Sequence, residues 1–563
     1  MIKSVRRRFL QVGERTVHYF RAGDGPPAVL VHSSPANARL LMREILHLAA
    51  HHTVFAFDTP GFGLSQPLPL DEMEVADLAD ALADTLHAAG MPRCPVFGTH
   101  TGAAIALELG ARHPERVTGL VLDGVPAFTP EECDAFFQDY FRKLPVTDLG
   151  GIYAEIWTRF RDQSIWFPWS ERRAAHLNPY DLGSPTSTHL WASMYFDAAE
   201  TYTPAYRAAS FYGQRAIRAA QALSVPAIYT ATDTDMLRPH IDRLPPMKPG
   251  QSFRPIGTSH DAKLALIAEG FATFGVDGAA PADRDAVVST TTVARQFIDG
   301  TQGQLHLRSC GDRGATPCLL IHDAPGSAEQ IEDLIAAMGT QAFVIAPDLP
   351  GHGESDPLTL SDVGGPDLDA FAAEMLHVLD RLGIDRVRVA GIGFGSSVAV
   401  RLSVAYPDRV QALAINGALL PDATERAHLS IHYAPPIAIE ADGSHWYRTW
   451  LMLRDSRVWW PWFDRRMDRL RRVEADFAPR PLHRWTMDVM RARETYAAVI
   501  HAALAGDLAS DLARLAAPPI VVSDPAIPLF AYDDTLRAAR PDAVVRSSDG
   551  TPMALALAFL GDL

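Results

Sequence analysis

Residues 96–103 read V-F-G-T-H-T-G-A, which sets His100 between Gly98 and Gly102. Glycines on both sides of one polar residue permit a tight backbone approach around the imidazole. A neutral imidazole can attack an activated carbonyl carbon, and the acyl-imidazole so formed is labile to water. It can also carry protons near neutral pH, since its ordinary pKa is about 6.5. A third chemistry, a divalent metal held by two His and one Asp, ranks last, because neither H-x-E-x-H nor HExxH spacing occurs. No metal and no cofactor is expected.

The elements that must hold this histidine occur twice. H-S-S-P at 32–35 is answered by H-D-A-P at 322–325, and F-D-T-P-G-F-G-L-S at 57–65 by P-D-L-P-G-H-G-E-S at 347–355. H-P-E-R-V at 113–117 is answered by Y-P-D-R-V at 406–410, and W-F-P-W at 166–169 by W-W-P-W at 459–462. The spacing holds at 290 to 293 residues along the whole half. A period this long is a duplicated domain and not a solenoid repeat. The joint falls in D-G-A-A-P-A-D-R-D-A-V-V-S-T-T-T at 277–292, placed near 282 on its small, polar, Pro- and Gly-bearing start.

Within each half, short apolar runs alternate with segments of helical spacing. A-V-L-V-H (28–32), V-F-A-F-D (54–58), C-P-V-F-G (94–98), G-L-V-L-D (119–123) and P-A-I-Y-T (226–230) predict strands buried on both faces. A-D-L-A-D-A-L-A-D-T-L-H-A-A (76–89) predicts an amphipathic helix. Alternating strand and helix implies an α/β class with a mostly parallel sheet flanked by helices.

The chain has 563 residues, 51 basic and 67 acidic side chains, and a net charge of −16. Such acidity disfavours nucleic acid and anionic membranes as partners. No apolar run reaches the ~18 residues of a membrane span. The start carries no signal-peptide core, and four scattered cysteines without a CxxC pair fit a reducing compartment. The expectation is a soluble cytoplasmic protein with a small-molecule substrate, its two halves paired as an intramolecular pseudo-dimer, with a homo-oligomer left open.

The order H-x-x-P, D-x-P-G-x-G-x-S, then a G-x-x-x-G turn resembles the α/β-hydrolase fold superfamily, in both halves. The resemblance implies two tandem domains, 1–282 with a helical cap at about 128–220 and 283–563 with a cap at about 421–512. It puts His100 at the place of the nucleophile on the elbow between strand and helix. It implies His260, in R-P-I-G-T-S-H-D, as the late histidine base, and Asp235, in Y-T-A-T-D-T-D-M, as its acid, with Asp233 as competitor. Thr101 and the Ser33–Ser34 segment would supply the oxyanion donors. Asp235 would orient His260, which would activate water or share acid/base work with His100. Cap aromatics such as Trp157, Trp166 and Trp191 would roof an apolar pocket. The functional expectation is a hydrolase of a small carbonyl or ester-like substrate. The alternatives are a lyase or isomerase using both histidines, and a non-catalytic binding or scaffold protein.

The second half reads Gly391-Ile392-Gly393-Phe394-Gly395 at the turn, so Gly393 stands where His100 does. Its late segment, S-S-D-G-T-P-M-A, holds no histidine, and Asp524 comes early. This half is expected to be a pseudoenzyme domain.

Overall fold

The computed structural model describes residues 5–137, 140–141, 144–179, 181–283, 292–359 and 365–561. Two compact units emerge, one of Met1–Pro145 with Glu155–Ala286, the other of Val146–Ala154 with Val287–Leu563. The joint lies later than position 282, because Asp283 belongs to the first unit. Its carboxylate accepts from Nε and Nη2 of the buried Arg8, at 2.8 and 2.6 Å. Most of the remaining joint, 284–291, lies outside the described residues.

The first unit is built on eight strands: β1 (Arg6–Val12), β2 (Arg15–Ala22), β3 (Pro27–Val31), β4 (Thr53–Phe57), β5 (Cys94–Thr99), β6 (Val117–Asp123), β7 (Ala227–Thr230) and β8 (Gln251–Phe253). They lie in the order β1-β2-β4-β3-β5-β6-β7-β8. The β1 and β2 hairpin joins the sheet antiparallel through β4, and from β4 onward every pairing is parallel. The second unit repeats this with β9 (Ala294–Asp299), β10 (Gln304–Cys310), β11 (Pro317–Ile321), β12 (Phe343–Pro347), β13 (Val387–Ile392), β14 (Val410–Asn416), β15 (Ile520–Ser523) and β16 (Val544–Ser547). Its order, β9-β10-β12-β11-β13-β14-β15-β16, is the same topology. The central strands β3, β4 and β6 are buried at every position, as helices on both faces require. Helices follow the strands or are inserted between β6 and β7, and again between β14 and β15. Those used below are α1 (Thr101–Arg112), α2 (Gly151–Ile165), α3 (His260–Phe274) and α4 (Gly395–Ala405).

The repeated motifs are structural clamps. Asp58 takes His18 Nδ1 at 2.8 Å, Ala38 N–H at 2.8 Å and Leu64 N–H at 3.0 Å. Asp348 takes His306 Nδ1 at 2.9 Å, Ala328 N–H at 2.8 Å and Glu354 N–H at 3.0 Å. His32 accepts Thr59 N–H at 2.9 Å, and His322 accepts Leu349 N–H at 2.8 Å. The carboxylates of Asp58 and Asp348 are thus satisfied largely by N–H groups of the loops that they shape.

Candidate active site

The sharp turn lies between β5 and α1. Its two glycines are demanded by backbone contacts. A Cβ on Gly98 would lie 2.1 Å from Gly102 O, and one on Gly102 would lie 2.1 Å from Val31 O. His100, between them, has φ 50° and ψ −110°. No other non-glycine among the described residues has a positive φ. A side chain held in that region costs roughly 1–3 kcal/mol, a strain that gathers at functional sites.

The strained turn aims the ring at Asp235. His100 Nε2 lies 2.8 Å from Asp235 Oδ2, and Leu237 N–H fixes the other carboxylate oxygen at 2.8 Å. Asp235 is 10% exposed and the His100 side chain 39%. Beside an ionised carboxylate, Nε2 carries the proton, which leaves the lone pair of the neutral ring on Nδ1. No protein group bonds Nδ1 among the described residues. Burial pulls the histidine's pKa down, but the charge and hydrogen bond of Asp235 outweigh it, so the net direction is upward. Burial likewise pushes Asp235 up, and His100 more than reverses it.

His100 borders two cavities of the first unit. One is about 50 Å³ and lined by Ser34, Thr101, Phe128, Tyr140, Phe167 and Tyr206, among others. The other, about 440 Å³, is reached by Ser33, Ser34, Gln163, Trp191 and Asp235. The N–H of Thr101 opens α1 and donates to no protein acceptor among the described residues. Ser34 N–H reaches only Thr101 Oγ1, at 3.3 Å. Ser34, after β3, and Thr101, at the start of α1, come from separate segments that this bond brings together.

His260 stands elsewhere. Ser259 caps α3 by accepting Ala262 N–H at 3.2 Å, so the helix already begins at His260. The ring's Nε2 is 3.7 Å from Glu44 Oε1 and makes no hydrogen bond. Neither cavity is lined by it. The expected pairing of His260 with Asp235 is therefore corrected: His100 takes the carboxylate. Lys263 lies on the Glu44 side as well, 3.6 Å from that carboxylate and 3.4 Å from Asp123 Oδ2. Asp233, the competitor for the acid, is exposed, and its N–H bonds Gly257 O at 2.9 Å.

The aromatic expectations divide. Trp191 lines the larger cavity. Trp157, 2% exposed, is buried and lines neither cavity. Trp166 likewise lines neither cavity, and its backbone bridges Leu177 as that of Trp459 bridges Leu470 in the second unit. Tyr140 and Tyr206 line both cavities and pair through their hydroxyls at 3.0 Å. Sequence reading missed them, because no motif marks a cap tyrosine.

The second unit closes the equivalent place from within. Asp323, which replaces Ser33 in the repeat, turns its carboxylate onto two backbone donors. Oδ1 accepts Ala324 N–H and Phe394 N–H, each at 2.7 Å. These are the counterparts of Ser34 and Thr101. A Cβ on Gly393 would lie 2.0 Å from Asp323 Oδ1. Gly393 has φ 57°, so the backbone keeps the turn while the carboxylate fills the room that a side chain would need. Burial raises Asp323 to about 6 against the pull of those two N–H groups. The signal was present in H-D-A-P as an acid next to a strand end.

A family model described as alpha/beta hydrolase fold matches residues 26–155 and again 316–438. Both units carry the α/β-hydrolase fold. Proline iminopeptidase of Arabidopsis thaliana is 28% identical over 168 residues, which cover 29% of this chain and 41% of that protein. A 2-hydroxy-6-oxononadienedioate/2-hydroxy-6-oxononatrienedioate hydrolase of Klebsiella pneumoniae is 30% identical over 138 residues, 23% of this chain and 46% of that one. The (E)-2-((N-methylformamido)methylene)succinate hydrolase of Acinetobacter baylyi is 30% identical over 125 residues, 22% and 47% of the respective chains. The chain thus spans less than half the length of each of these relatives. Among solved structures, a hydrolase from Pseudomonas aeruginosa PA01 is 19% identical with a TM-score of 0.37, covering 47% of this chain and 98% of that one. Among the described residues, no helix is long and apolar enough to cross a membrane, and no group of three or more His, Cys, Asp or Glu side chains is placed to hold a metal.

Proposed function

We propose that the first α/β-hydrolase unit hydrolyses a small carbonyl or ester-like substrate, with His100 as general base and Asp235 as its orienter. The observation that carries this reading is the 2.8 Å bond from His100 Nε2 to Asp235 at a cavity wall, with Nδ1 unbonded. Hydrolases among the similar proteins support the reaction class. In the proposed reaction, Nδ1 takes a proton from a water whose oxygen attacks the carbonyl carbon. The oxygen that becomes negative is met by the N–H groups of Thr101 and Ser34. The imidazolium, steadied by Asp235, returns the proton to the leaving group as its bond to carbon breaks. Direct attack by Nδ1 is the weaker route. With His260 away from the dyad, the base expected to activate the water that would cleave an acyl-imidazole is not beside it. The same placement counts against a lyase or isomerase relay between the two histidines.

For the second unit the reading is a non-catalytic scaffold. Asp323 occupies its would-be oxyanion donors, and Gly393 offers no reacting group.

The test is turnover of a panel of esters, lactones and 1,3-diketones by wild type and His100→Ala. Loss of all turnover in the variant is expected. Activity that survives His100→Ala refutes the proposal, and a stable acyl adduct on His100 in intact-mass spectra would favour covalent attack.

A further inference from the structure

Arg159, on α2, is a buried cation with no counter-ion among the described residues. It is 4% exposed. Among the described residues its Nε, Nη1 and Nη2 form no well-aligned hydrogen bond, and the Tyr195 hydroxyl lies beside them. Rings surround it instead: its Cζ lies 5.0 Å from the ring centroid of Tyr195, 5.5 Å from those of Phe160 and Trp169, 5.9 Å from Tyr140 and 6.0 Å from Tyr202. Trp169 adds a second buried donor without an acceptor, its Nε1–H.

Ring faces offset part of the loss of hydration through cation–π contact. They do not satisfy the five N–H groups of a guanidinium. A charge withdrawn from water without an acceptor remains costly. The fold itself does not require it. In the repeat, position 159 corresponds to Met452, an apolar side chain 6% exposed in the second unit. What differs between the units is the first unit's cavity. Tyr140 and Phe160, two of the five rings, line it, as does Gln163 one helical turn after Arg159. The guanidinium therefore lies one ring behind the wall of the space that His100 borders.

Donors without acceptors define what is missing: a planar anion with two oxygens, which a guanidinium fork grips bidentately. We propose that Arg159, with Trp169, anchors a carboxylate of the molecule bound in this cavity, reached by displacing the Tyr140 ring and opening its hydroxyl pair with Tyr206. The assignment rests on the reading of this cavity as the active site and narrows its substrate to a carboxylic acid that also carries the reacting carbonyl.

The test uses the full chain and a matched pair of probes, monomethyl glutarate and its neutral counterpart dimethyl glutarate, titrated calorimetrically. Wild type is expected to bind the monoanion at least tenfold tighter. Arg159→Met should lose that preference while binding the diester as wild type does, and circular dichroism checks its fold. Arg159→Lys, which keeps the charge but not the fork, should retain only part of the preference, and it decides the matter if the Met variant does not fold. Equal binding of the two probes by wild type, or an unchanged preference in Arg159→Met or Arg159→Lys, overturns the proposal. His100→Ala should keep the preference. Turnover that survives in His100→Ala would therefore sink the catalytic reading alone, and an anion preference indifferent to Arg159 would sink this one alone.

Discussion

Replacing Asp323 by asparagine should make the second unit more stable, and increasingly so as pH rises. The carbonyl oxygen of the new amide side chain can accept the N–H groups of Ala324 and Phe394 as Oδ1 does now, at 2.7 Å, but it never ionises. In the wild type, burial raises Asp323 from 3.8 to about 6. Between those pH values the folded chain therefore holds a proton that the unfolded chain has released, so stability falls as pH rises through the window. At about 1.36 kcal/mol per pH unit the gap amounts to about 3 kcal/mol, fully felt above pH ~7 and about half felt at pH ~5. For a domain of this order of size, each kcal/mol moves the melting temperature by about 2–4 °C. Asp323→Asn should then raise the second unit's transition by about 6–12 °C at pH ~8 and by about half that at pH ~5. Differential scanning calorimetry of wild type and variant at both pH values reads this directly, because other titrating groups cancel in the difference. A variant no more stable than wild type at pH ~8, or a gap that shrinks as pH rises, would refute the claim that an ionised carboxylate sits buried on those two amides.

Other outcomes follow from the same geometry. If His100 works as a base, kcat/KM should rise with pH through a midpoint above about 6.5, since Asp235 outweighs burial in holding the proton on. Asp235→Asn should move that midpoint down and lower kcat by roughly 10²–10⁴-fold; a pH profile with an unmoved midpoint would remove Asp235 from the dyad. His100→Ser should gain no esterase activity, because no imidazole is bonded to Asp235 once His100 is gone; hydrolysis of p-nitrophenyl acetate checks it. Gly393→Ser should lower the second unit's stability by roughly 1–3 kcal/mol, since a non-glycine at φ 57° is strained and its Cβ would meet Asp323 Oδ1 at 2.0 Å. Urea titration of Gly393→Ser against Asp323→Ala/Gly393→Ser tests this, and the double variant should recover part of the loss.

The repeat, the mostly parallel sheet and the turn at His100 were legible in the sequence because each is local or periodic. Apolar runs of five residues predict buried strands, and a register held over a whole half predicts a second copy of the same sheet. The motifs that repeat, around Asp58 and Asp348, are clamps for loops that any copy of the fold must close. The chemistry lies where the copies differ, in His100 against Gly393, Ser33 against Asp323, and Arg159 against Met452. Those differences are visible in the string, but their meaning is not. The resemblance to the α/β-hydrolases nominated His260 as the partner of Asp235. The cap at Ser259 makes His260 the first residue of α3, its ring lies beside Glu44, and the turn at His100 delivers its own ring to the carboxylate. Nor does any local pattern place Arg159 among five rings drawn from separate segments of the cap. Sequence alone determined which residues could do chemistry and which elements hold them. Only tertiary structure decided which met, because a hydrogen bond between residues 135 positions apart depends on where two loops end above a sheet and not on what either loop spells.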